Sequence, residues 1–121
     1  MDDKAFHMTM LFDFYGDLLT DRQKEFFDLY YNEDLSLAEI AENAGITRQG
    51  VRDVLVRSEA YLSEIEEKTG IIARFLEMQK ISAEIDSAAD RILSLNDERY
   101  NSAELQELAQ EIKQCAAQLK E

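Results

Sequence analysis

The chain has 121 residues, enough for one domain or a small module with an appendage, and its 26 acidic against 13 basic side chains give a formal net charge of −13. The absence of proline, with only four glycines, leaves few turn residues for a β-rich fold, while a 45% hydrophobic content is too high for a disordered chain. A single cysteine and a single histidine exclude an internal disulfide and a thiolate or histidine-rich metal site.

From Ala5 to Leu19, Phe6, Met10, Leu11, Phe14, Tyr15, Leu18 and Leu19 recur at helical spacing and predict an amphipathic helix, weakened locally by Gly16. Thr20-Asp21-Arg22-Gln23 is a capping box, in which Thr20 accepts from the Gln23 N–H and Gln23 reaches back. Behind it Phe26, Phe27, Tyr30 and Tyr31 form an aromatic stripe. Such a stripe is either a core face or a stacking platform for bases, and helical spacing favours the core.

Ser36-Leu37-Ala38-Glu39 is a second capping box, opening a short helix with Leu37, Ile40, Ala41 and Ala44 inward. Gly45 ends it where a left-handed residue is wanted. Thr47 caps the next helix, whose residues Val51, Leu55, Ser58, Leu62 and Ile65 form one face that runs out near Thr69-Gly70. Ile71 to Leu95 continues without a breaker, Phe75, Met78, Ser82, Ile85, Ala89 and Ile92 alternating by threes and fours. Asn96-Asp97-Glu98 is a polar break, and Asn101 with Glu104 reads as a further capping box. Leu105, Leu108, Ile112, Cys115 and Leu119 mark the last helix.

A short capped helix, a glycine turn and a longer capped helix make a helix-turn-helix pattern over about residues 36–62. Ala41 is small enough for a close crossing, and Ile46 and Val51 are apolar wedges between the two helices. Thr47 caps a first turn that presents Arg48, Gln49 and Arg52. In such motifs these positions face base edges in the major groove, where Arg suits guanine and Gln suits adenine. Arg57 lies within reach of a phosphate. The segment 47–58 holds three arginines against Asp53 alone, in a chain that is otherwise acidic. DNA or RNA is therefore the partner expected of Thr47, Arg48, Gln49, Arg52 and Arg57.

Three strings are family-like: Leu18 to Gln23, Leu29 to Glu42 and Thr47 to Asp53, joined by the N-terminal Leu11-Phe12-Asp13-Phe14-Tyr15-Gly16-Asp17. Over about residues 6–80 they resemble the YlxM family of small helix-turn-helix proteins of Gram-positive bacteria and mycoplasmas. The helix-turn-helix part is similar in turn to region 4 of bacterial sigma factors. The resemblance implies an all-α fold: a sigma region 4-like helix-turn-helix bundle with long C-terminal helices used in dimerisation. Because the family's genes typically lie beside those of the signal recognition particle GTPase and its receptor, it also implies a regulatory role in that targeting pathway, with one of its components as a possible partner.

The chain thus divides into a helix-turn-helix domain over residues 1–70 and a C-terminal helical extension over 71–121. The extension carries surplus apolar surface at Ile81, Ile85, Ile92, Leu95, Leu105, Leu108, Ile112 and Leu119, and a homodimer is expected to cover it. No catalytic constellation is evident. His7 has no nucleophile beside it, Cys115 reads as a small packed hydrophobe, and Asp86 with Asp90 reads as a solvated acidic face. The chain is not expected to be an enzyme, and neither a cofactor nor a metal is expected. With no apolar run near the ~20 residues that cross a bilayer and no signal-peptide pattern at the start, no membrane insertion is expected and a cytoplasmic location is. A second function competes with nucleic-acid reading: an acidic adaptor of the targeting machinery that docks on a basic protein.

Overall fold

The computed structural model describes residues 3–120. Six α-helices follow one another, α1 Asp3–Tyr15, α2 Asp21–Tyr31, α3 Leu37–Ala44, α4 Arg48–Thr69, α5 Ile71–Leu95 and α6 Ala103–Gln118, with no strand among the described residues. The protein is all-α. It forms two compact units, residues 1–72 and 73–121.

The first unit is a helical bundle whose core runs from Met8, Leu11, Tyr15 and Leu19 through Phe26 and Phe27 to Ile40, Val51, Leu55 and Leu62. The aromatic stripe of α2 mostly faces inward. Phe27 is fully buried, stacks on Phe12 at 5.0 Å and meets Tyr31 at 4.7 Å. Burial of such a ring is worth about 1.5–3 kcal/mol. Phe26 is buried as well, and only Tyr30 of the four is exposed. The serine on the α4 face, Ser58, is fully buried, and its hydroxyl donates to the Val54 carbonyl one turn back at 2.7 Å, so it hides no unpaired group.

The first helix is shorter than its spacing predicts. After Tyr15 the chain takes one 3₁₀ turn, Gly16–Leu18, and Leu19 is extended. Gly16 lies under the Phe12 ring, where a Cβ would come within 3.1 Å of it. Phe6, Phe14 and Leu18 are exposed, and Met8 is buried instead. Apolar residues lie all around this helix, so spacing alone does not choose the inward side.

In the second unit small residues make the close contact between α5 and α6: Ser82 and Ala89 on one, Ala109 and Ala116 on the other, all buried. Ser82 donates to the Ala116 carbonyl at 2.5 Å. Lys113 of α6 pairs with Asp86 at 3.1 Å and Asp90 at 2.5 Å on α5, so these two aspartates serve an ion-pair clamp. The link between the helices is a π turn, Asn96–Tyr100. Asn96, buried, donates to the Ser102 carbonyl and accepts from the Ser102 N–H, both at 2.9 Å. The N-cap of α6 is Ser102, which accepts from Leu105, whereas Asn101 takes the left-handed conformation with φ 48°. This corrects the capping box read at Asn101 and Glu104: Asn tolerates the left-handed turn, which moves the cap one residue on. Cys115 is exposed rather than packed, because the alanines take the inward positions.

Candidate nucleic-acid interface

The interface is built on two caps and one turn. Ser36 opens α3 with a complete capping box, its hydroxyl accepting from the Glu39 N–H and the Glu39 carboxylate accepting from the Ser36 N–H, both at 3.1 Å. The Ser36 N–H, the largest influence, holds the Glu39 carboxyl below the usual carboxylate range. Gly45 ends α3 with φ 71°, a conformation that costs a side-chain-bearing residue more than glycine. The Ile46 N–H then donates to the Ala41 carbonyl at 3.1 Å, which turns the chain toward α4. Thr47 caps α4 by accepting from the Gly50 N–H at 3.0 Å. Val51 is fully buried and Ala41 nearly so, while Ile46 is half-buried; these three hold the hairpin.

This scaffold leaves Thr47, Arg48, Gln49, Arg52 and Arg57 all exposed. Arg48, Gln49 and Arg52 line one shallow depression with Leu37 of α3. Gln49 donates from its amide to Asp53 at 2.9 Å, one helical turn on, which orients the side chain along the helix. Arg57 lies apart from these three. Nine positions separate it from Arg48, and at about 100° per residue that places it half a turn round the helix.

Arg52 also lines a second cleft, with Lys4, Tyr30, Tyr31 and Glu59 among its walls. Lys4 and the two tyrosines are absent from the residues that the sequence suggests for the interface. Tyr30 and Tyr31 carry a signal, as the outer end of the aromatic stripe. Lys4 carries none, since only the docking of α1 brings it close. Among the described residues no group of three or more His, Cys, Asp or Glu side chains is placed to hold a metal ion. No helix among them is long and apolar enough to cross a membrane.

The eight apolar residues of the extension are exposed without exception, from Ile85 at 37% to Leu108 at 49%. Ile85, Leu108, Ile112, Cys115 and Leu119 line an apolar cleft of about 620 Å³ within the second unit.

Residues 2–121 match the family described as UPF0122, "Putative helix-turn-helix protein, YlxM / p13 like". A UPF0122 protein of Thermoanaerobacter sp. (strain X514) is 44% identical over 112 residues, covering 93% of this chain and 92% of the relative. Another from Acetivibrio thermocellus is 49% identical over 83 residues, 69% of this chain and 71% of its own length. One from Bacillus cereus (strain AH187) is 42% identical over 98 residues, 81% and 89% respectively.

Proposed function

The chain belongs to the UPF0122 family of YlxM / p13-like helix-turn-helix proteins, and from that premise we propose that it is a regulatory nucleic-acid-binding protein that reads its target with the first turn of α4. The observation that carries this reading is the exposed Arg48, Gln49 and Arg52 at the capped start of the helix beyond the Gly45 turn. Arg48 and Gln49 supply the base-edge donors and acceptors, and Arg52 and Arg57 supply phosphate contacts. The protein acts as a homodimer joined through the exposed apolar residues of the extension, which ties two weak half-site contacts together. Its regulatory setting is the signal recognition particle pathway that the YlxM resemblance implies. Titration of fragmented genomic DNA and of total RNA at about 50 mM salt tests the reading. Binding that is lost in Arg48→Ala supports it, and no binding at all overturns it.

The net charge of −13 favours a second reading, an acidic adaptor that docks on a basic protein component of the same machinery. A pull-down from lysate with and without nuclease separates the two: partners that survive nuclease belong to the adaptor.

A further inference from the structure

Arg52 borders two depressions at once. One is the strip it shares with Leu37, Arg48 and Gln49. The other is a cleft of about 230 Å³ toward α1 and the end of α2. Lys4, Tyr30 and Tyr31 also line a wider, neighbouring cleft of about 440 Å³ with Asp34 on its wall. The wider volume lies within the range of small-ligand sites, about 300–1,000 Å³. Three kinds of group line the two clefts. Tyr30 is 36% exposed and braced edge-to-face against Tyr31 at 5.0 Å. Lys4 and Arg52 bring cations. Asp34 and Glu59 bring carboxylates, and Glu59 is held in place by the Tyr31 hydroxyl, which donates to it, and by Lys4 at 3.8 Å.

We propose that these two adjacent clefts together bind a nucleotide. Its base stacks on Tyr30, its phosphate meets Lys4 and Arg52, and the amino or ring N–H edge of the base donates to Asp34 or Glu59. A simple anion leaves the ring and the carboxylates unused, and an aliphatic ligand finds too much charge. A nucleotide combines an aromatic plate, edge donors and an anion. The nucleotide comes either free or as an unpaired base of a strand lying on α4 and entering past Arg52. The strand-borne form rests on the nucleic-acid reading above; the free form does not.

The test titrates the full chain with a short mixed-sequence single strand, its duplex and guanosine monophosphate. Fluorescence polarisation reads the labelled strands, and amide chemical shifts read the mononucleotide. Tyr30→Ala weakens single-strand binding by about 5- to 160-fold, the range of one base stack, and Tyr30→Phe restores it, with circular dichroism unchanged in both. The same pattern for the mononucleotide, with no strand bound, supports the clefts as a nucleotide site and overturns the nucleic-acid reading. Strand binding that survives Tyr30→Ala and is lost in Arg48→Ala overturns the clefts and leaves the α4 reading standing. No binding of any probe overturns both.

Discussion

Arg48 and Arg52 sit on a helix whose stability comes from its buried side, at Val51, Leu55 and Leu62, so their removal separates binding from folding. Arg48→Ala is expected to cost about 1–3 kcal/mol of nucleic-acid binding and to leave unfolding free energy within ~0.5 kcal/mol of the parent. Parallel binding titrations and urea melts check both halves. Tyr15 behaves in the opposite way. Its buried hydroxyl donates to Glu66 at 2.6 Å and lies 2.9 Å from the Thr69 hydroxyl. Burial first, and then the bond to Glu66, raises its pKa above the ordinary 10.0. The unfolded chain therefore releases this proton at a lower pH than the folded one. The stability this supplies is complete below pH 10.0 and is lost as pH rises through the folded value. Tyr15→Phe is expected to be less stable at neutral pH by about 1 kcal/mol and to lose less stability on going from neutral to strongly alkaline solution. Denaturant melts on both sides of the tyrosine range measure the difference.

The helical hairpin stands on its turn. At Gly45 no atom lies within 4 Å of where a Cβ would go, so Gly45→Ala meets no clash and pays only for its φ of 71°. A loss of about 1–2 kcal/mol is expected, with the bound-state contacts of Arg48 unchanged once folding is restored at low temperature. Comparison of melts and titrations for this variant checks the claim. The hairpin was legible in the sequence because its signals are local: Ser36 with Glu39, Gly45 with Ala41 and Thr47 with Gly50 are each pairs no more than four residues apart. So were the bounds of α5. The inward face of α1 was not legible, since Phe6 and Phe14 follow helical spacing as well as Met8 does, and only the docking of the other helices selects Met8. The α5–α6 contact was legible on one side only: Ser82 and Ala89 belong to the α5 series read from spacing, whereas Ala109 and Ala116 lie beside the series Leu105, Leu108, Ile112, Cys115 and Leu119 that marks α6. The candidate residues Arg48, Gln49 and Arg52 were legible as a polar, basic start of α4, whereas Lys4 joins Arg52 only through tertiary packing.

At the scale of the whole molecule, charge and apolar surface pull in different directions. A net charge of −13 per chain keeps strands at a distance. With only Arg48 and Arg52 at the reading turn and Arg57 further along α4, binding is expected to weaken with salt along a shallow slope, few counterions being released. Titrations across a salt series give the slope directly. The extension offers the compensating feature, exposed Leu108 and Ile112 beside the apolar cleft. Leu108→Lys with Ile112→Lys is expected to leave helicity intact and to convert a dimer to a monomer in sedimentation. Binding should fall with it, as two half-sites come apart. A parent chain that sediments as a monomer removes the dimer from the account.

The Glu66 carboxylate accepts from Tyr15, 51 positions earlier, and from the Ile72 N–H at 2.9 Å, six positions later. On a ribosome that separation is a delay. At about 5–20 residues per second, α1 waits several seconds for its partner to be made, and α4 must also arrive before Phe26 and Phe27 have a full core to enter. For that interval the emerging segment carries unsheltered apolar side chains. The order of synthesis makes α4 the last whole helix of its bundle, followed only by Ile72 at the start of α5, so the helix that presents Arg48 is also the one whose arrival nearly closes that core.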